Sequence, residues 1–264
     1  MTNHKGKDSF IKQAGILAMA GIICRIIGIL YRSPLTGIIG DEGNGYYGFA
    51  YNIYTTILLV SSYSIPSAIS KVIAQKLAMR EYKNAQRIFY CSIIYVLVVG
   101  GLASLFTYFG ADMLVAPNSV KVLKVFAPTI LLSGFLEVLR GYFQAHRTMV
   151  PTSISQIIEQ IMNAVISILL AYLLIQSVAG SDETTKAIHG AMGSAIGTGA
   201  GVAIALAFML LVYMVNRKVI HKRLAVDTYS KVETYREILI NILLTVTPFI
   251  LSTFIYNSTT SLNQ

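Results

Sequence analysis

The sequence predicts an all-α integral membrane protein, a polytopic helical bundle, and three observations carry that prediction. Hydrophobic residues make up 55% of the 264-residue chain and charged residues only 12%, with a mean hydropathy of +0.63. Soluble proteins run near about 25% charged residues. Several apolar runs exceed the roughly 18 residues that mark a spanning helix. The formal charge of +9 is gathered in short links between those runs rather than on one patch. That is a topology signal, and it argues against nucleic acid as a partner.

The first apolar segment, Phe10 to about Pro34, carries a charge in its interior. An arginine at mid-span costs roughly 2.5–3.5 kcal/mol to insert, so Arg25 marks a site facing protein or a watery cavity. At helical spacing Ala14, Ala18, Gly21, Arg25, Gly28 and Arg32 share one side. The expectation is a narrow cationic stripe, lined by Gly21 and Gly28, turned to the interior of the bundle. Ile16, Ala20, Ile23, Ile27 and Leu30 then face lipid or a neighbour. Arg32, near the end, either joins the stripe or snorkels to the headgroups. Ala18-Met19-Ala20 resembles a signal-peptidase site, but hydrophobicity continues past it, so the segment reads as uncleaved.

Gly37–Gly45 reads as a short polar link. The second span runs from about Tyr46 to Ser70, and its tyrosines (Tyr46, Tyr47, Tyr51, Tyr54) suit either a headgroup boundary or a cavity wall. Pro66 removes a backbone hydrogen bond within it and predicts a kink and a candidate hinge. Lys71–Arg87 is an amphipathic basic connector. Spans three to six follow at about 88–110, 125–145, 152–178 and 187–215, separated by short links at 112–124, 146–151 and 179–186. In the sixth, Gly193, Gly197 and Gly201 lie four apart, the small-residue pattern that lets helices approach closely. After the basic connector 216–237 a seventh span begins near Ile238 and bends at Pro248, a second candidate hinge. The chain reads as the first part of a longer one.

Sixteen Lys and Arg fall on the amino-terminal side of this topology, against three or four on the other. By the positive-inside rule the amino terminus is cytoplasmic. Cys24 and Cys91 sit inside apolar runs as small fillers. The four histidines are scattered, and no nucleotide loop or His-Glu-x-x-His is present. No enzyme, cofactor or metal site is expected.

A second constellation lies across spans four and five. Glu137, Arg140 and Gln144 share one face, and Gln156, Glu159, Gln160, Asn163 and Ser167 form a stripe on the next helix. Facing stripes of this kind satisfy each other by ion pairs and amide bonds. They equally form a gate or an ion-coupling site, with Glu137, Arg140, Gln144, Glu159 and Asn163 as its residues.

The run Arg140-Gly141-Tyr142-Phe143-Gln144-Ala145-His146-Arg147-Thr148-Met149-Val150-Pro151, with Ser155 to Gln160, resembles bacterial flippases of polysaccharide and lipid-linked precursors. Arg25, Arg32, the stretch Gly40 to Gly48 and the stretch Tyr63 to Ser70 resemble the stage V sporulation protein B branch. Both belong to the multidrug/oligosaccharidyl-lipid/polysaccharide exporter superfamily. The resemblance implies an alternating-access transporter of two six-helix lobes, with residues 1–237 as the first and 238–264 beginning the second. It implies a lipid-linked saccharide or peptidoglycan precursor as partner, within a bacterial cytoplasmic membrane. By the same resemblance Arg25 and Arg32 bind the substrate diphosphate, though the second span offers no arginine to join them. Membrane lipids and a coupling ion complete the implied partners. A multidrug exporter and a non-transporting scaffold for cell-wall synthesis are the competing readings.

Overall fold

The computed structural model describes residues 2–59, 61, 65–227, 233–240, 244 and 247, with side chains from 13 onward except at 65, 221 and 223. Pro248 and the body of the seventh span lie outside the described residues. Six bounded helices follow in order among the described residues, α1 Thr2–Leu58, α2 Ile65–Ala78, α3 Tyr82–Leu114, α4 Pro117–Ala145, α5 Val150–Ser177 and α6 Glu183–Ala225, and residues 235–240 are helical as well. There is no strand among the described residues.

α1 is two helical limbs joined at Gly40, whose φ of 70° and ψ of 175° are non-helical. The direction of each limb follows from what it touches. The Gln13 side-chain oxygen accepts from the Met149 N–H at 2.9 Å, and Leu35 and Ile39 pack with Ala171 and Ile175, so the first limb runs parallel to α5. The second runs parallel to α4, since Asn118 donates to the Tyr46 hydroxyl at 2.7 Å and Tyr54 shares a 3.4 Å hydrogen bond with Ser133. α4 and α5 are antiparallel neighbours, so the chain reverses around Gly40. Five helical segments are long and apolar enough to cross a membrane. The first of them, Gln13–Leu58, holds two passes, giving the six legs expected from the sequence.

Only glycine tolerates the Gly40 conformation at low cost. Replacing it with alanine is expected to strain the reversal by about 1–3 kcal/mol, read as a lowered unfolding temperature in detergent. A substitution such as Gly37→Ala, where an added Cβ meets nothing within 4 Å, is expected to be mild.

The links are shorter than the sequence suggested. The expected loop 37–45 is helical except at Gly40, because its polar groups find partners: Tyr46 donates to Glu42 at 2.5 Å and Thr184 donates to the same carboxylate at 3.0 Å. In the expected link 112–124, α3 ends at Leu114 and Pro117 opens α4. The first position of a helix suits proline, because its missing N–H would have no partner there anyway. The same physics applies to Pro66, in the first turn of α2. Residues 59 and 61 are π-helical, and Pro66 is the second residue of α2. There its backbone lies against Gly141, where a Cβ would come within 2.9 Å of it.

The Lys71–Arg87 connector becomes the end of α2, a turn at Arg80 (φ 60°) and the start of α3. The principal core joins Ile69, Ile73, Phe89, Leu139, Tyr142 and Met209 from α2, α3, α4 and α6. A second core sets the tyrosines of limb two on α4, with Tyr54 stacked on Phe126 at 4.6 Å. Tyr46, Tyr47 and Tyr54 therefore pack on the inside of the lobe, while Tyr51 is exposed.

α5 and α6 are held close by glycine. A Cβ on Gly193 would fall 2.5 Å from the Ala171 nitrogen, and one on Gly201 2.6 Å from the Glu159 carbonyl, while Gly197 lies directly against the Ser167 backbone. Gly197→Ala is expected to force the helices apart at a cost of roughly 1–3 kcal/mol, again visible as a lower unfolding temperature.

Beyond α6 the chain docks back on the basic end of the lobe. Lys83 N–H donates to Asp227 at 2.6 Å, Glu233 N–H donates to Asn84 at 3.0 Å, and Arg87 donates to the Glu233 carbonyl at 2.9 Å while lying 5.0 Å over the Tyr235 ring. Lys76 bridges Glu233 and, at 3.0 Å, Glu81. Burial works against the charge of Glu81, but hydrogen bonds from Asn84 and Lys76 outweigh it and hold the carboxyl below its ordinary value. Burial likewise opposes the Lys76 ammonium, and its bonds to Glu233 and Glu81 outweigh that and raise it. A depressed carboxylate stabilises the fold above its unfolded pKa and loses that contribution as pH falls through the folded value. Acidification below the usual carboxylate range is therefore expected to lower the protection of the Glu233 amide, measured as its exchange rate relative to the intrinsic rate at the same pH. Glu81→Gln is expected to abolish much of that pH dependence.

Candidate functional site

Two polar assemblies lie in the lobe, and limb one of α1 flanks both. The packed face of that limb is Gln13, Ala20, Cys24, Gly28, Tyr31 and Leu35, half-buried or buried against α5. This corrects the expected orientation. Arg25 and Arg32 are exposed, and their stripe runs along the flank of the packed face rather than into the lobe's interior. Ala20, expected to face lipid or a neighbour, is 2% exposed. Helical geometry explains the shift: tyrosine and leucine at 31 and 35 offer more apolar surface to α5 than arginine and glycine do. Ile16, Ile23 and Leu30 do face outward, as expected.

The flank is open. A Cβ on Gly21 would meet nothing within 4 Å, and one on Gly28 would touch only the Gln160 amide, at 3.4 Å. Arg32 lies within electrostatic reach of the Tyr31, Tyr47 and Tyr51 hydroxyls. Those rings lead into a hydrogen-bonded set. Asn163 donates to Tyr31 at 3.5 Å and accepts from Ser167 at 2.9 Å and Thr198 at 3.2 Å, and Thr198 meets Tyr47 at 3.3 Å. A cationic edge beside a tyrosine and amide surface suits an anionic, hydroxyl-rich headgroup.

The second assembly is an ionic triad. Arg140, 4% exposed, donates through Nη1 to Glu137 at 2.8 Å, through Nη2 to Glu159 at 2.7 Å and through Nε to Ser155 at 2.9 Å. The spacing that put Glu137 and Arg140 on one face of α4 brings them to Glu159 across an antiparallel contact with α5. Two carboxylates share one guanidinium, so the group carries one net negative charge when all three are ionised. Cys24 on limb one lies within electrostatic reach of Arg140 and Glu159.

Gln144 is half-buried on α4 and is not part of the triad. Asn163 belongs to the tyrosine network instead. Sequence reasoning missed Ser155, Tyr31 and Thr198 as parts of these assemblies. Ser155 and Glu159 are four apart on α5, a signal that was legible. Tyr31 and Thr198 came from segments read as a charged stripe and a packing face, so only the three-dimensional fold unites them.

The described residues form an all-helical bundle with an arginine flank on its first limb and an ionic triad between α4 and α5, and five of its helical segments are long and apolar enough to cross a membrane. The chain belongs to the polysaccharide biosynthesis protein family, whose model matches residues 10–260, within the MOP exporter superfamily. It is similar to lipid II flippase MurJ of Bacillus subtilis (strain 168), at 24% identity over 220 residues, 77% of this chain and 39% of that protein. Stage V sporulation protein B of the same organism is 29% identical over 162 residues, covering 58% of this chain and 31% of that one. Its uncharacterized membrane protein YabM is 30% identical over 191 residues, 70% and 34% respectively.

Among solved structures, a MOP superfamily transporter from Pyrococcus furiosus aligns with a TM-score of 0.70 at 18% identity, covering 92% of this chain and 52% of that one. A multidrug resistance MATE family transporter in an outward-facing conformation gives 0.71 at 19% identity, with 92% and 53% covered. At such identities the likeness shows the fold. The chain thus spans under two fifths of the curated relatives and about half of the structural ones.

Proposed function

We propose that this chain is the amino-terminal lobe of a flippase that moves an undecaprenyl-diphosphate-linked saccharide or peptidoglycan precursor from the inner to the outer leaflet. The observation that carries the reading is the pair Arg25 and Arg32, exposed along one flank of the first limb beside glycine and tyrosine. A planar guanidinium forks two charge-assisted bonds to a diphosphate, and these gain strength where water is partly excluded. The glycines leave room for the headgroup, and the lipid tail stays in the bilayer. Residues 1–237 form the first lobe, and residues from 238 open a second whose face closes on the arginine flank. Rocking of the lobes then alternates access.

The basic end, with Lys71, Lys76, Arg80, Arg147 and Arg217, lies in the cytoplasm by the positive-inside rule, in a bacterial cytoplasmic membrane. Glu137, Arg140 and Glu159 act as a gate or as the seat of a coupling ion, because their net charge invites a proton or cation. Relatives named as a flippase and as transporters fit a non-enzymatic role. A cationic rather than acidic flank disfavours export of cationic drugs, and a scaffold has no use for Arg25 within the bilayer. The test is exposure of labelled lipid-linked precursor at the surface of cells depleted of their own flippase and supplied with the full-length gene. Exposure supports the reading, and its absence across several precursors refutes it.

A further inference from the structure

A cavity of about 430 Å³ lies between α3, α4 and α6 and contains no residue of α1 or α5, so it is separate from the arginine flank. Its volume falls within the range of small-molecule sites, about 300–1,000 Å³. It is an elongated slot, lined along α6 from Leu206 to Leu224, about 27 Å at 1.5 Å per residue. The deep wall is Phe89, Ile93, Phe135, Leu139 and Leu206. Tyr90, Leu210 and Met214 on the rim are exposed. Because α3 and α6 are both long and apolar enough to span, that rim opens sideways toward acyl chains. An apolar slot also offers water too few partners to hold it.

One end differs. Tyr142 donates to the Gln86 side-chain oxygen at 3.1 Å, and the Gln86 amide donates to the Tyr213 hydroxyl at 2.9 Å, which is also hydrogen-bonded to Tyr90. Arg217 lines the same end, with Lys218 and Lys222 exposed alongside. A long apolar slot closed by a guanidinium at headgroup depth matches a molecule with an acyl chain and an anionic head.

We propose that this cavity binds one anionic phospholipid of the bilayer, with an acyl chain along Phe135 and Leu206 and its phosphate at Arg217. Basic residues at a helix-lined cavity select anionic over zwitterionic heads. Bound there, the lipid braces α6 against α3, the helix on which the segment after α6 is docked.

The test reconstitutes the full chain in bilayers of equimolar phosphatidylglycerol and phosphatidylcholine, extracts it mildly and counts retained lipid by mass spectrometry. The expected result is about one phosphatidylglycerol per chain, falling about tenfold in Arg217→Gln, the loss of one charge-assisted contact. Leu206→Phe, which narrows the slot, is expected to reduce retention as well, and Lys121→Gln at the opposite end to leave it unchanged. The chain contains no tryptophan, so Met214→Trp supplies a single emitter on the rim. Brominated phosphatidylglycerol is expected to quench it more than brominated phosphatidylcholine, and Arg217→Gln to remove the difference. Equal retention of both lipids or indifference to Arg217→Gln would each overturn the proposal.

Discussion

Arg140→Leu is expected to destabilise the lobe by about 3 kcal/mol, the low end for breaking a buried pair because Glu137 and Glu159 keep some access to solvent. The guanidinium is 4% exposed and is the shared partner of Glu137 and Glu159, so its removal strands two like charges within hydrogen-bonding distance of the same vacated position. Leucine restores the volume but none of the three side-chain hydrogen bonds. The checking measurement is thermal unfolding of the purified protein in detergent, followed by circular dichroism. Replacing all three members of the triad by apolar residues is expected to recover most of the lost stability, since a well-packed apolar set is often as stable as a buried ion pair. Recovery of stability without recovery of transport then separates a gating or coupling role from a structural one. An unchanged unfolding temperature in Arg140→Leu alone contradicts the triad as described.

The second large effect concerns transport. Arg25→Ala and Arg32→Ala are each expected to lower precursor flipping by about tenfold to a hundredfold, the worth of one charge-assisted interaction of about 1.5–3 kcal/mol. Both side chains are exposed, so unfolding temperature is expected to hold. The conservative Arg25→Lys is expected to recover activity only in part, because an ammonium keeps the charge and loses the planar fork. Equal losses in stability and flipping would instead place Arg25 in the packing of the lobe.

The triad was legible in the sequence because helical periodicity fixes which residues share a face, and the short link 146–149 forces α4 and α5 to lie antiparallel. Close approach through Gly193, Gly197 and Gly201 was legible for the same reason: spacing of four on a long helix presents one smooth strip. The rotation of limb one was not. Periodicity placed Ala14, Gly21, Arg25 and Arg32 on one side, but the side that packs is decided by what α5 offers, and Tyr31, Leu35 and Ile39 find an apolar partner in Ala171 and Ile175. The docking of Asp227 and Glu233 onto Lys83, Asn84 and Arg87 joins residues about 145 positions apart in sequence, which local pattern cannot anticipate.

The most direct test of the central claim uses proteoliposomes holding the full-length protein and a fluorescent undecaprenyl-diphosphate-linked precursor, with the inner-leaflet fraction read from protection against a membrane-impermeant quencher. The account predicts that wild-type protein brings the protected fraction into exchange with the outside, and that the Arg25→Ala, Arg32→Ala double variant leaves it protected while remaining folded. A double variant that exchanges precursor as fast as wild type would contradict the assignment of the arginine flank to the diphosphate.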